Sequence, residues 1–275
     1  STAEIAATLL EEGGNTPADV FFAQDPGGLG AVVNAGMFGD LPNDITDLVP
    51  EWARSPVGKW VGLSGRARTV VYNTDRLSES DLPDSLLGFT DAKWKGRIGW
   101  APTNGSFQAM VTAMKVLWGE DETREWLLGI QANDPKAYSN NTSQVAAAAA
   151  GEIDVGLVNH YYLHRFLQEE GDKFTARNYH PRDGGPGSVV MVAGAGILEA
   201  SRNRENARKL LKFMLSTVGQ QYFAGQTFEY PLVDGVKTNP LIFSLEEINR
   251  PEIDMASLAD LQGTQRLLRE HGILE

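Results

Sequence analysis

The sequence predicts an α/β protein. Short apolar stretches typical of buried strands, such as "ADVFF" and "IDVGLV", alternate along the chain with stretches typical of helices. This alternation is the pattern of strand–helix–strand units, and it predicts largely parallel sheets. The 275 residues are 42% hydrophobic, enough for a large core, and we expect two lobes.

The predicted elements follow in chain order. The chain opens on a helical stretch, "STAEIAATLLEEGG", and reaches the strand "ADVFF" with no earlier strand, so we expect an N-terminal strand to be missing. The helix "GGLGAVVNAGMF" and the strand "RTVVY" come next. The later strand and helix pairs are "GRIGW" with "FQAMVTAMKVLWG", "IDVGLV" with "YYLHRFLQEE", and "SVVMVAGAGIL" with "RENARKLLKFMLST".

Composition excludes several classes of protein. The chain has 24 Lys and Arg against 36 Asp and Glu, a net charge of -12, which disfavours binding to a nucleic-acid backbone. The longest apolar window, "SVVMVAGAGIL", is shorter than the roughly 20 residues of a membrane helix. Cysteine is absent, which excludes disulfides, zinc–thiolate sites and thiol nucleophiles and fits an exported protein.

The motifs of common enzymes are also missing. The sequence contains no G-x-S-x-G elbow, no H-E-x-x-H and no phosphate loop ending in G-K-[ST]. Asp19 and Asp25 are a conceivable carboxylate pair for a hydrolase, but no nucleophile motif accompanies them. His160 and His164 have the i, i+4 spacing of a metal pair, which is equally typical of a solvated helix face. We therefore expect a protein that is not an enzyme.

Two adjacent tyrosines stand where a strand becomes a helix, in "NHYYLHR". Adjacent side chains diverge by about 100° in mid-helix, so Tyr161 and Tyr162 converge only if they lie in a first turn, for which Asn159 is the expected cap. Deprotonating one phenol at pH 7 costs about 4 kcal/mol, which only a strongly Lewis-acidic ion such as Fe³⁺ would offset. Packing at a helix start is the alternative interpretation of the pair.

Two helix starts have the composition of anion sites. "TNGSF" places Asn104, Gly105 and Ser106 at one helix start, and "SNNTSQVAAAAA" places Asn141 at another, where free backbone N–H groups favour an anion. Each start alone is equally well explained as an ordinary N-cap. Together with Arg66 in "SGRAR", they predict a pocket for one small anion.

Several stretches in this order resemble the periplasmic ferric-ion-binding proteins, or bacterial transferrins, which deliver Fe³⁺ to ABC importers. They are "PADVFFAQD", "SGRARTVVY", "KWKGRIGW" before "TNGSF", "YSNNTSQVAAAAAGE", "NHYYLHR" and "EYPL". The resemblance implies that Tyr161 and Tyr162 bind iron and that a synergistic anion, carbonate or phosphate, completes the coordination. The implied anion contacts are Asn104, Gly105, Ser106, Asn141 and Asn159, with Arg66 in carbonate-using members.

The sequence departs from that family in three places. Several members carry a glutamate ligand where this chain has Gln24, so Gln24 is expected only to line the cleft, with Asp25 as the candidate ligand in its place. Other members place a further tyrosine where Asn104 stands. The family's opening strand, which often carries a ligand, is absent here, so we expect the visible ligand set to be incomplete.

The resemblance implies the two-lobed, type II periplasmic-binding-protein architecture with ligand in the interlobe cleft. We expect lobe 1 to contain residues 1–67 and 192–242, and lobe 2 to contain residues 68–191 and 243–275. The implied protein is a periplasmic or extracytoplasmic monomer, membrane-anchored in some cases through a removed N-terminal segment, with an ABC transporter permease as partner. The alternative is a binding protein of the same fold for a polyamine, an organic anion or a sugar.

Overall fold

The computed structural model describes residues 2–275 of the chain; Ser1, where the predicted first lobe begins, lies outside the described residues. The chain forms two compact units, each built from strands and helices, which confirms the α/β class. The first unit contains the chain up to Arg66, Met191–Ile242 and Ile253–Leu261. The second unit contains Ala67–Val190, Phe243–Glu252 and Gln262–Glu275.

The strands and helices are numbered in chain order. The strands are β1 (Val20–Ala23), β2 (Val61–Asn73), β3 (Ile98–Trp100), β4 (Lys136–Ala137), β5 (Val155–Asn159), β6 (Ala176–Tyr179) and β7 (Val190–Ile197). The helices are α1 (Thr2–Glu12), α2 (Pro26–Asn34), α3 (Asn43–Thr46), α4 (Gly105–Trp118), α5 (Glu120–Ala132), α6 (Asn141–Ala149), α7 (Tyr161–Glu170), α8 (Arg204–Met214), α9 (Thr217–Gln226) and α10 (Leu261–Glu270).

The sheet of the first unit contains β1, β7 and the beginning of β2. Strand β1 pairs antiparallel with β7, with Val20 opposite Ile197 and Ala23 opposite Gly194. Strand β7 in turn lies beside β2. Leu29 of α2 is fully buried and lies close to Gly194, so this helix packs against the sheet.

The sheet of the second unit begins with the remainder of β2. That part of β2 pairs antiparallel with β5, where Arg68 lies opposite Asn159, and antiparallel with β6. Strand β3 pairs parallel with both β4 and β5. The core on this sheet includes the apolar side of α4, with Phe107, Met110 and Met114 buried as their helical spacing predicts.

The prediction of largely parallel sheets was wrong. Within residues 2–275, parallel pairs join β3 to β4 and β5, whereas β1 with β7 and β2 with β5 and β6 are antiparallel. The prediction assumed that every helix connects two neighbouring parallel strands. Strand β2 does not follow that pattern, because it is a single 13-residue strand that runs from the first unit into the second and pairs with strands of opposite direction.

The second predicted lobe, which included all of residues 243–275, also needs a correction. Ile253–Leu261 belongs to the first unit, because its short 3-10 helix Met255–Ala259 packs against α2. A Cβ atom built on Gly30 of α2 would lie 2.2 Å from the Cβ of Ala259, so the two backbones approach closely. This contact is tertiary and leaves no periodic pattern in the sequence.

Replacing Gly30 by alanine is expected to lower the free energy of unfolding by about 1–3 kcal/mol, because the added methyl group overlaps Ala259. The matched control is Gly225→Ala in α9, where an added Cβ meets nothing within 4 Å and helix propensity favours alanine by up to about 1 kcal/mol. Urea unfolding measures both variants. Equal stability of the two would mean that Ile253–Leu261 does not pack on α2.

Candidate functional site

The two tyrosine rings converge at the start of α7. Strand β5 ends at Asn159, His160 occupies the cap position, and Tyr161 and Tyr162 are the first two residues of the helix. Their ring centroids are 4.3 Å apart and their planes are tilted by 31°. Tyr161 is buried and Tyr162 is half-buried. The first turn therefore brings together two rings that would diverge in mid-helix.

The expectation that Asn159 caps this helix was wrong. Asn159 is the last residue of β5, and its side-chain oxygen accepts a hydrogen bond from Nη1 of Arg68 at 3.0 Å. His160 holds the turn against β2 instead, because the backbone N–H of Ala67 donates to its Nδ1 at 3.1 Å and its own N–H donates to the Ala67 carbonyl.

Arg68 is a site residue that sequence reasoning missed. Its side chain is fully buried in the second unit, and Nη1 also donates to the Ser106 hydroxyl at 3.1 Å. Burial lowers the pKa of Arg68 to about 9, and the nearby phenols of Tyr161 and Tyr162 act in the opposite direction. Within residues 2–275, Nε and Nη2 of Arg68 have no hydrogen-bond partner. These two atoms form one edge of the planar guanidinium, which can donate to two oxygens of one oxyanion.

Amide side chains surround this guanidinium. The Nδ2 group of Asn141 donates to the Ser106 hydroxyl at 3.2 Å and to Oδ1 of Asn104 at 3.3 Å. The backbone N–H of Asn159 donates to Oδ1 of Asn141 at 3.2 Å. The cluster therefore joins the end of β5 to the starts of α4 and α6.

Local capping explains why these residues meet. Asn104 caps α4, accepting from the N–H of Ser106 at 3.0 Å, and Asn140 caps α6, accepting from the N–H of Ser143 at 2.9 Å. Both helix starts contribute positive ends of helix dipoles to the side of the unit that holds Arg68. Gly105 is the first residue of α4 in this cluster.

Arg66 lies outside this hydrogen-bonded cluster. Its Nε and Nη2 donate to the Glu229 carboxylate at 3.0 and 3.2 Å, and its Nη1 donates to the Gln24 carbonyl at 3.2 Å. The hydroxyl of Ser64 also donates to Glu229. Arg66 and Arg68 are two residues apart in β2, the spacing of residues on the same face of a strand. The chain nevertheless passes from the first unit to the second between them. The sequence alone could not tell which arginine joins the helix starts.

Removing Arg66 is expected to destabilise the first unit, because the side chains of Arg66 and Glu229 are only 8% and 5% exposed and Glu229 would be left as an unpaired buried charge. Arg66→Met should lower the free energy of unfolding by about 3–5 kcal/mol. The double variant Arg66→Met, Glu229→Gln should recover part of that loss, since no buried charge is left over. Denaturant unfolding of the metal-free proteins tests this, and a single variant as stable as wild type would contradict it.

Gln24 and Asp25 also belong to the first unit. Gln24 is exposed, whereas Asp25 is buried and caps α2 by accepting from the N–H of Gly28 at 2.9 Å. Burial raises the pKa of the Asp25 carboxyl, against the effects of its hydrogen bonds and of Arg66. Asp25 thus already has a structural role as a helix cap.

The histidine pair, with His160 at the cap position and His164 within α7, does not lie on a solvated face. His160 and His164 are both buried, and burial lowers the pKa of His164 to about 4. Within residues 2–275, no group of three or more His, Cys, Asp or Glu side chains is placed to hold a metal ion. No helix in the same residues has the length and apolar character to cross a membrane.

Comparison with known proteins identifies the family of the chain. The family model for bacterial extracellular solute-binding proteins matches residues 15–244. The major ferric iron-binding protein of Neisseria meningitidis serogroup B is 35% identical over 98% of this chain and 82% of its own length. The Fe(3+)-binding periplasmic protein of Serratia marcescens is 32% identical over 98% of this chain and 80% of its own length.

A solved structure is similar over nearly the whole chain. Iron-bound HitA from Pseudomonas aeruginosa superposes with a TM-score of 0.95 at 32% identity, covering 99% of this chain and 88% of that one. Its sequence identity and coverage are comparable to those of the two relatives. The chain belongs to the family of bacterial extracellular solute-binding proteins.

Proposed function

We propose that this chain is an extracytoplasmic solute-binding protein that captures Fe³⁺, with Tyr161 and Tyr162 as phenolate ligands. The observation that carries the proposal is the pair of tyrosine rings, 4.3 Å apart, beside the buried guanidinium of Arg68. The relatives named above are iron-binding proteins by name, and HitA was solved with iron bound. The family is one of solute-binding proteins, so the proposed role is binding and not catalysis.

The chemistry of the pair favours a trivalent ion. A phenol in water loses its proton only near pH 10, so forming a phenolate at pH 7 costs about 4 kcal/mol for each ligand. Divalent Ca²⁺ and Mg²⁺ prefer carboxylate, carbonyl and water oxygens, so they would not offset that cost. Fe³⁺ is a harder and more strongly Lewis-acidic ion. A phenolate also gains from the nearby positive charge of Arg68.

Arg68 is the proposed binding group for a synergistic anion. Nε and Nη2, which have no hydrogen-bond partner among residues 2–275, present two parallel donors. Asn104, Ser106 and Asn141 bring two helix starts to the same guanidinium. Carbonate and phosphate both carry the pair of oxygens that such an edge binds. We place the anion on Arg68 and this cluster, and not on Arg66, whose charge is balanced by Glu229.

Gln24 and Asp25 of the first unit are predicted, as candidates only, to supply further metal ligands. Gln24 offers a neutral amide oxygen, which is a weaker ligand for Fe³⁺ than a carboxylate. Asp25 offers a carboxylate, but the same group accepts the cap hydrogen bond from Gly28. We further propose that the ion is delivered to an ABC transporter permease from outside the cytoplasm, which membership of a family of extracellular solute-binding proteins supports.

A titration tests the proposal. The protein is titrated with ferric nitrilotriacetate in bicarbonate buffer while visible absorbance is recorded, with Ca²⁺, Mg²⁺ and spermidine as parallel ligands. The expected result is a coloured complex with one Fe³⁺ per chain, because Fe³⁺–phenolate bonds absorb visible light. A colourless protein whose melting temperature rises with spermidine or another organic solute would instead support the organic-solute alternative.

A further inference from the structure

Arg165 lies across both rings of the tyrosine pair. Its Cζ atom is 5.7 Å from the ring centroid of Tyr161 and 5.3 Å from that of Tyr162. Both distances are within the range in which a guanidinium is attracted to the face of an aromatic ring. One cation therefore contacts the two side chains whose convergence defines the candidate site.

The spacing along α7 explains this geometry. Residues three and four apart on a helix are neighbours on its surface, and Arg165 is three residues after Tyr162 and four after Tyr161. Position 165 is thus the helix position that neighbours both rings at once. Arginine suits it, because its planar and permanently charged group can stack on two faces, which the compact ammonium of lysine cannot do.

The two rings are the groups that the Arg165 side chain contacts within residues 2–275. The residue is exposed, and within residues 2–275 it forms no hydrogen bond and no ion pair. By contrast, the half-buried Arg124 of α5 pairs with Asp121 on its own helix. The interactions of the Arg165 guanidinium are with the two rings.

We propose that Arg165 is a positioning residue that holds the rings of Tyr161 and Tyr162 together as one ligand pair. The effect on iron binding rests on the proposed ferric-ion function. The positioning of the two rings does not, because their geometry is present in the metal-free protein. In the metal complex the guanidinium also lies beside two phenolates, where its charge lowers the energy of their donor electrons.

The first arm of the test uses the metal-free protein. The chain is labelled with ¹³C-tyrosine, its seven tyrosines are observed by NMR, and the ring signals of the pair are assigned with Tyr161→Phe and Tyr162→Phe. Arg165→Gln is expected to shift the signals of both rings, because each ring loses its contact with the cation and the rings move relative to each other. The matched control Arg124→Gln should leave both signals unchanged. Wild-type signals for both rings in Arg165→Gln would overturn the proposal.

The second arm uses the iron-loaded protein. Arg165→Gln is expected to bind Fe³⁺ about two- to fivefold more weakly and to shift the visible band to longer wavelength. Arg165→Lys should fall between Arg165→Gln and wild type, since it keeps the charge and loses the planar stacking. An unchanged band and affinity in Arg165→Gln would overturn the role in iron binding. If the wild-type protein gives no band, the ferric-ion function fails, and the NMR arm still decides the ring-positioning role.

Discussion

Replacing Tyr161 or Tyr162 by phenylalanine is expected to weaken Fe³⁺ binding by more than about a hundredfold. Even a residue that only orients a metal ligand typically changes metal affinity by about 10- to 100-fold. Each substitution deletes one phenolate oxygen and keeps the ring. A hydroxyl that served packing alone would contribute about 1 kcal/mol to stability, a shift of about 2–4 °C in melting temperature. In the metal-free protein, each phenylalanine variant should melt within a few degrees of wild type. Its loss of iron binding therefore cannot be explained by unfolding.

The matched control for this prediction is Tyr179→Phe. Tyr179 is buried in the same unit, and its hydroxyl donates to Asp84 at 2.8 Å, so its loss should lower stability without affecting iron. Competition with nitrilotriacetate measures affinity for all three variants. Because Fe³⁺ displaces two phenol protons, wild-type affinity for iron should fall about 100-fold for each pH unit of acidification. Each single variant displaces one proton fewer, so its affinity should depend less steeply on pH. Wild-type affinity in both tyrosine variants would leave the pair as packing residues.

Replacing Arg68 by methionine is expected to abolish the effect of the anion on iron binding and to weaken iron binding in bicarbonate or phosphate buffer by about 100-fold or more. The same variant should be no less stable than wild type when metal and anion are absent. The reason is that the wild-type protein buries a guanidinium whose Nε and Nη2 atoms lack hydrogen-bond partners in residues 2–275, which is unfavourable until an anion binds.

Thermal unfolding of the metal-free proteins measures this directly. A ligand that binds only the folded state raises its stability in proportion to the logarithm of ligand concentration, so bicarbonate or phosphate should raise the wild-type melting temperature. The melting temperature of Arg68→Met should not respond, whereas that of the control Arg124→Gln, which changes an arginine of α5, should respond as wild type does. If Arg68→Met is strongly destabilised and still responds to the anion, Arg68 is a structural residue and the anion binds elsewhere.

The sequence predicts those parts of the site that depend on local structure. The caps and helix starts at Asn104 and Asn141 follow from Asn and Gly chemistry next to apolar periodicity, and the first turn after β5 follows from the change of period at Tyr161. These features are decided within a few residues of the chain, so they are visible without the fold.

Other parts of the site depend on tertiary contacts. Arg66 and Arg68 differ only in the unit to which the chain brings them, and the partner that balances Arg66, Glu229, is 163 residues away in sequence. The cap role of Asp25 was missed because the prediction treated it as a ligand after a strand and not as the residue before α2. The antiparallel neighbours of β2 likewise depend on pairings between distant segments.

The most direct test of the central claim is resonance Raman spectroscopy of the iron-loaded protein with excitation in the visible band. If Tyr161 and Tyr162 are phenolate ligands, the spectrum should show enhanced tyrosinate ring vibrations, reduced in each single phenylalanine variant and absent in the double variant. A coloured wild-type complex without tyrosinate vibrations, or the same enhanced vibrations in the double variant, would contradict the assignment of this pair as the iron ligands.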